Sequence, residues 1–277
     1  MFWTRLFSGI LLLIIAITTL SFGNIILNIT LLVISLIGYR ELTKALLCAD
    51  SDKKWNTLEI LGFIGIVAYY LSVYATVYTG REIWLIMCIV MFFMAQMGVY
   101  VITFPRFQAK QVVASVFAFL YAPVMLSFIY LTRETTVGIY VVWLILISSW
   151  GCDTCAYAVG KLIGKKKIFP VLSPNKSLEG CVGGVLGAAL IGGLYGHFFV
   201  EEMIAGQNMA WAIAFICAVG AVMSMLGDLA ASAIKRNHDI KDYGKLIPGH
   251  GGIMDRFDSV IVTAPMVYFL TVLLLGA

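Results

Sequence analysis

The chain alternates between long apolar segments and short polar ones along its whole length. Most apolar segments have about 20 residues, the length that an α-helix needs to cross roughly 30 Å of hydrocarbon. Backbone groups in lipid must be satisfied within the segment, so each is predicted to be a helix. The pattern predicts an all-α, polytopic integral membrane protein with about nine transmembrane helices, at about residues 6–22, 24–39, 57–77, 82–104, 110–132, 136–160, 180–200, 208–230 and 253–276.

The first two segments are short and are joined at Gly23 and Asn24, which predicts a helical hairpin. Arg5 precedes the first apolar run, so a cleaved signal peptide over residues 1–23 is the competing interpretation. The second apolar run begins at once and no A-x-A cleavage site is present, so we favour the hairpin.

Composition supports a membrane protein. Of the 277 residues, 61% are hydrophobic and 12% are charged, and the mean hydropathy is +0.96. A soluble domain carries about 25% charged residues. The six cysteines show no disulfide framework, and the C-x-x-C of Cys152 and Cys155 lacks the two further ligands that a zinc site needs nearby. We therefore interpret the cysteines mainly as small buried side chains.

The charge distribution predicts an orientation. If the N-terminus lies in the cytoplasm, 17 of the 19 Lys and Arg residues fall on the cytoplasmic side, and only Arg81 and Arg133 fall outside. The positive-inside rule favours this arrangement, which places both large polar regions in the cytoplasm, where nucleotides are found.

The seventh apolar segment is rich in glycine. Gly183 with Gly187, and Gly192 with Gly196, form small-xxx-small pairs that predict close packing against another helix.

The most polar stretch runs from Ser232 to Asp258, between two apolar segments, and holds five basic residues, four acids and two histidines. Because charge beside hydrocarbon is costly, such a cluster indicates chemistry or a ligand. Just before and within it, Asp228, Ser232 and Lys235 are spaced i, i+4, i+7 and share one helix face.

Asp255 and Asp258 are spaced i, i+3 at the start of the last segment and also share a face. Carboxylates arriving from two helices suit Mg²⁺, which takes oxygen ligands and keeps waters and substrate phosphates. The alternative is a set of helix-end salt bridges between these acids and Lys235, Arg236 or Arg256.

A glycine-rich turn, Pro248 to Gly252, leads straight into the last helix. Backbone N–H groups of Gly251 and Gly252 and the helix dipole would favour a bound phosphate. Basic residues flank the turn, which strengthens the prediction of an anion site, and His250 either orients phosphate or caps the turn. The flanking residues are Lys241, Lys245 and Arg256.

Two motifs in the chain resemble those of one family. The first is S-x-x-K-R, four residues, K-D-x-G, then P-x-H-G-G-x-x-D-R-x-D, over residues 232–258. The second is D-[ST]-x-A-Y-x-x-G followed by S-P-x-K-S-x-E-G, matched by Asp153, Thr154, Ala156, Tyr157, Gly160, Ser173, Pro174, Lys176, Ser177, Glu179 and Gly180. Over about residues 151–260 the chain is similar to the phosphatidate cytidylyltransferase (CDP-diacylglycerol synthase) family.

The resemblance implies an enzyme of phospholipid biosynthesis that converts phosphatidate and CTP into CDP-diacylglycerol and pyrophosphate. It implies Mg²⁺ as the cofactor and allows a second, monovalent cation. It also implies a homodimer in the cell (inner) membrane, with no nucleic-acid partner. The N-terminus and the active site would lie in the cytoplasm. Residues 1–140 would form a lipid-facing scaffold to which no functional residue is assigned, and residues 141–277 would form the catalytic domain.

The resemblance also implies roles for individual residues. Asp228 and Asp255 would be the chief Mg²⁺ ligands, with Asp258 supporting them. Phosphate groups would be bound by cations, namely Lys176, Lys235, Arg236, Lys241 and Arg256. The remaining residues would shape the substrate pocket or its loop, namely Ser173, Ser177, Glu179, Ser232, His250, Gly251 and Gly252. Glu179 would hold either the loop or a cation.

Two other functions are compatible with the pattern. In a transporter or channel the charges would line an ion path, but here they gather at one interface instead of spanning the bilayer. A cytidylyltransferase acting on a different lipid phosphate would keep the same chemistry.

Overall fold

A computed structural model of the protein describes residues 2–46, 55–200 and 209–276. The described residues form nine helices joined by loops and turns, with isolated bridges in place of strands. The helices are α1 (Phe2–Phe22), α2 (Asn24–Ala45), α3 (Thr57–Thr79), α4 (Ile83–Ile102), α5 (Ala109–Arg133), α6 (Gly138–Ile163), α7 (Leu178–Val200), α8 (Ala210–Asn237) and α9 (Met254–Leu275).

The fold class predicted from the sequence is confirmed. Among the described residues, eight helices, α2 to α9, are long and apolar enough to cross a membrane. In α1, the part whose side chains are described, Phe7–Phe22, forms a shorter apolar helix and is not counted among these eight. Only Gly23 separates α1 from α2, and its φ of 61° is one that glycine adopts without strain.

The chain divides into two compact units, and each is described by itself. Unit 1 comprises Met1–Leu131 and Asn237–Arg256, and unit 2 comprises Thr132–Arg236 and Phe257–Ala277. The predicted division near residue 140 concerns scaffold and catalytic roles, and it stays a prediction.

In unit 1, polar side chains link the helices inside an apolar core. The Tyr39 hydroxyl of α2 lies 2.7 Å from Ser115 Oγ of α5. Gln96 of α4 donates to Ser115 Oγ at 2.9 Å. Ser35 and Tyr70 form a second buried pair at 2.7 Å. Because a buried polar group costs free energy unless it is hydrogen-bonded, these pairs fix how α2 to α5 pack.

In unit 2, α6 and α7 pack closely through the glycines of α7. A Cβ atom at Gly184 would lie 2.9 Å from Cys152 Sγ, and one at Gly187 would lie 2.5 Å from Cys155 Sγ. The predicted small-residue packing is confirmed, and the C-x-x-C side chains serve as its other half. Five cysteines are free thiols, while Cys48 lies outside the described residues.

Candidate active site

One ion pair in unit 2 joins the second family motif to α8, just before the first motif begins at Ser232. Lys176, from the loop before α7, places its Nζ 2.5 Å from Oδ2 of Asp228 on α8. The nitrogen is buried and, within the described part of the chain, has no hydrogen-bond partner besides this carboxylate. Asp153 on α6 interacts electrostatically with both Lys176 and Asp228. The pair with Asp228 therefore leaves part of the hydrogen-bonding capacity of the ammonium unused.

The backbones of α8 and α9 approach closely in unit 2, next to two predicted metal ligands. A Cβ atom at Gly227 would lie 2.5 Å from the backbone oxygen of Asp258, so only glycine fits there. Asp228 follows Gly227 directly. The carboxylate of Asp258 accepts a hydrogen bond from the Ser259 N–H at 2.8 Å.

The predicted face of α8 is present, because the helix continues unbroken through Asn237. Asp228, Ser232 and Lys235 are all partly exposed on it, and Arg236 is exposed. The ion pair that Asp228 makes is with Lys176, a partner that the salt-bridge alternative in the sequence analysis did not include.

The loop between α6 and α7 is held in shape by Glu179, the first-turn acid of α7. Its carboxylate accepts the N–H of Lys165 at 3.0 Å and that of Lys166 at 3.3 Å. The loop is closed by an antiparallel bridge between Lys167 and Ser177. Of the two roles left open for Glu179, the structure supports holding the loop.

Ser177 has a structural role that the sequence analysis did not foresee. Its hydroxyl accepts the Gly180 N–H at 3.2 Å and so caps α7, and only 3% of the residue is exposed. Its predicted contact with substrate stays a prediction, and in this conformation the hydroxyl serves the cap. Ser173 shapes the same loop, because its carbonyl accepts the Lys176 N–H at 3.1 Å.

In unit 1, the glycine-rich turn is a closed structure. The Ile247 N–H donates to the Gly251 carbonyl at 2.9 Å, and the His250 N–H donates back to the Ile247 carbonyl at 2.9 Å. Gly249 has φ 79° and Gly251 has φ 85°, values that strain any residue with a side chain.

Asp255 fastens this turn to the loop before it. Its Oδ2 accepts the Tyr243 N–H at 2.8 Å and the Gly252 N–H at 3.0 Å, and the residue is only 7% exposed. The predicted metal ligand is thus also a structural acceptor, a role with no signal in the sequence.

A further carboxylate, from Glu41 of α2, reaches the start of α9. The Ile253 N–H donates to its Oε1 at 3.1 Å, and the Met254 N–H donates to its Oε2 at 2.9 Å. With Gly252 bound to Asp255, three successive N–H groups at this helix end already have acceptors. Of the two N–H groups predicted to bind phosphate, that of Gly252 therefore already has an acceptor within the chain.

The imidazole of His250 is positioned by α1. Ser8 Oγ lies 2.8 Å from His250 Nδ1, and the same hydroxyl donates to the Pro248 carbonyl at 3.3 Å. The cations around the turn, Lys241, Lys245 and Arg256, are exposed. Sequence reasoning missed both Ser8 and Glu41, because it assigned no role to the first 140 residues.

The described residues contain no group of three or more His, Cys, Asp and Glu side chains arranged to hold a metal ion. The residue types fit a divalent cation that keeps waters and substrate phosphates, because Asp228 on α8 and Asp258 on α9 both carry carboxylate oxygens.

An apolar groove of about 280 Å³ lies on α7 and α8 in unit 2. Met225, which lines it, is three residues before Asp228 on α8, so the groove and the ion pair share one side of that helix. The other lining residues are Cys181, Val182, Val185 and Leu186.

Comparison with known proteins decides the family. A family model described as "Cytidylyltransferase family" matches residues 3–274. This chain belongs to the cytidylyltransferase family. The resemblance seen in the two motifs is thereby confirmed, and the match extends it over the N-terminal helices.

Curated relatives of this cytidylyltransferase family member are bacterial. The chain is 30% identical to the phosphatidate cytidylyltransferase of Staphylococcus aureus strain COL over 97% of its own length and 98% of that protein. It is 39% identical to the enzyme of that name from Staphylococcus saprophyticus over 54% of the chain and 56% of the relative. For the Bacillus subtilis strain 168 protein, also named phosphatidate cytidylyltransferase, identity is 38% over 49% of each. These two alignments thus cover only about half of each relative.

Proposed function

We propose that this chain is a phosphatidate cytidylyltransferase, which transfers the cytidylyl group of CTP to phosphatidate and releases pyrophosphate. The observation that carries the proposal is the contact between Lys176 of the second motif and Asp228, four residues before the first motif, because it sets a buried ammonium beside a predicted metal ligand. The S. aureus relative supports it, since the alignment covers nearly all of both chains. Nothing in the comparisons favours a transporter or channel.

In the reaction, a phosphate oxygen of phosphatidate forms a bond to the α-phosphorus of CTP. The bond from that phosphorus to the β-phosphate oxygen breaks, and pyrophosphate leaves. Both reactants are anions, so the protein has to offset their charge and align them, and it needs no covalent nucleophile.

The chain's cations supply the offsetting charge. Lys176 exchanges its single carboxylate contact for phosphate oxygens, which satisfies the donors that the ion pair leaves unused. Basic residues at the end of α8 and around the glycine-rich turn bind further phosphate oxygens, namely Lys235, Arg236, Lys241 and Arg256.

Asp228 and Asp255 would be the chief ligands of a divalent cation, Mg²⁺ by its preference for oxygen, with Asp258 supporting them. When bound, the ion offsets charge on the phosphate oxygens and on the leaving group. A second, monovalent cation stays compatible with the acids available, which include Asp153 on α6.

The apolar groove beside the ion pair supports a lipid as the second substrate. A phosphate bound at Lys176 leaves acyl chains beside Val182, Val185 and Leu186, which face the groove.

The proposed chemistry is tested by following two labels in CTP. The α-phosphate label is expected in the lipid fraction in the presence of Mg²⁺ and phosphatidate, whereas the γ-phosphate label leaves as pyrophosphate. Label at the γ position in lipid would mean a kinase, and no lipid label of either kind would mean transport or binding. Full transfer in excess chelator would contradict the role of the metal.

Location in the bacterial inner membrane, a cytoplasmic active site and a homodimer complete the proposal. The charge asymmetry predicts that single cysteines at Lys166 and Asn237 react with an impermeant thiol reagent from the cytoplasm alone. A cysteine at Arg81 is expected to react from the other side alone. Labelling of positions 166 and 237 from opposite faces would contradict the orientation and the shared site together.

A further inference from the structure

The buried carboxylate of Glu41 links α2, one of the N-terminal helices, to the start of α9. Glu41 lies in α2, is 8% exposed, and is 212 residues before the first of its two backbone partners. Each carboxylate oxygen accepts one N–H, from Ile253 at 3.1 Å and from Met254 at 2.9 Å. One side chain therefore fixes both the position and the direction of the α9 start.

The signature loop is shaped around this carboxylate. A Cβ atom at Gly252 would lie 2.5 Å from each Glu41 oxygen, and one at Gly244 would overlap Oε1. Neither glycine has a positive φ, so backbone freedom does not explain them. Both are glycines because Glu41 fills the space that a side chain would need.

Two carboxylates thus bracket the same short stretch. Asp255 accepts the N–H groups of Tyr243 and Gly252, and Glu41 accepts the next two along the chain. Ordering a flexible loop at the moment of substrate binding costs conformational entropy, and a loop that is held beforehand avoids that cost.

We propose that Glu41 is a positioning residue of the cytidylyl-transfer reaction. It holds the segment from Gly244 to Met254, and through it the carboxylate of Asp255, in the arrangement that the substrate phosphates and the metal require. Glu41 itself touches neither. This inference rests on the proposed function and assigns the scaffold helices a part in it.

The first test replaces Glu41 with Gln. The amide keeps one acceptor but turns a donor toward the second N–H, so one of the two hydrogen bonds is lost. We expect kcat to fall roughly 10- to 100-fold for the folded protein, because small misplacement of reacting groups has an effect of that size. Deuterium exchange at the amides of Ile253 and Met254 is expected to rise in the same variant.

The matched control is Glu59→Gln. Glu59 is also a buried glutamate of unit 1, 1% exposed, and it accepts the Asn56 N–H at 3.1 Å at the start of α3, in the same manner of backbone support. We expect this variant to lose thermal stability while the folded protein keeps its kcat and its KM for CTP. Equal losses in both variants, in proportion to unfolded protein, would overturn the proposal.

A size exchange tests the contact itself. Gly252→Ala is expected to lower kcat in the wild-type background, because its methyl group meets the carboxylate, but to have little further effect in Glu41→Ala. Additive losses would overturn the proposed contact.

Deuterium exchange can be measured without turnover, so it tests this inference separately from the proposed function. Unchanged protection of the Ile253 and Met254 amides in Glu41→Gln would overturn this inference. A wild-type protein that transfers no α-label to lipid would overturn the proposed function alone.

Discussion

Asp228→Asn is expected to lower kcat on the order of a thousandfold, the largest effect of any single change considered. Asparagine keeps the size and one acceptor oxygen but removes the charge that both Mg²⁺ and Lys176 require. The measurement is transfer of α-label from CTP to lipid over a range of Mg²⁺ concentrations.

Lys166→Gln is the control for this experiment. Its backbone N–H holds Glu179, and its exposed side chain is interpreted as a determinant of topology, so most activity should remain. Because Asp228→Asn leaves Lys176 as a buried cation without its partner, thermal unfolding of the variant must be measured as well. Robust turnover by folded Asp228→Asn at ordinary Mg²⁺ would remove Asp228 from the proposed ligands.

Asp255→Asn is expected to lose nearly all activity while keeping the loop folded. The carbonyl oxygen of asparagine still accepts the N–H groups of Tyr243 and Gly252, but the charge that a metal ligand supplies is gone. Asp255→Ala is expected to lose activity and also to loosen the loop, because two buried N–H groups then lack an acceptor.

The comparison of the two Asp255 variants separates a structural role from a chemical one. Protection of the Tyr243 and Gly252 amides from deuterium exchange should persist in Asp255→Asn and fall in Asp255→Ala. If Asp255→Asn keeps wild-type kcat while Asp255→Ala does not, the carboxylate supports the loop and is not a metal ligand.

The helices were predictable from the sequence because the bilayer sets one length and one polarity for all of them. The second apolar segment was predicted at residues 24–39, whereas the helix in the structure is Asn24–Ala45. The added residues include Glu41, so the prediction left out the residue that supports the start of α9. Hydropathy ends a helix where polar residues begin, whereas the hydrogen-bonded helix continues into the loop region.

The candidate site was predictable in its residue types and only partly in its contacts. Spacing along α8 correctly placed Asp228, Ser232 and Lys235 on one unbroken helix. No local pattern indicates that Ser177 caps α7 or that Glu41 supports residues more than 200 positions away, because such contacts depend on tertiary packing. The sequence did contain one indication of a role for Glu41, because an acidic residue near the end of an apolar helix is usually functional.

The hydrogen bond between Ser8 and His250 has a practical consequence for producing this protein. We expect an affinity tag fused close to α1, or an engineered form that lacks α1, to disturb the imidazole of the glycine-rich turn. Because His250 is a predicted substrate-binding residue, loss of activity in such a preparation would then be caused by the way the protein was produced. A tag placed after α9 leaves that contact intact.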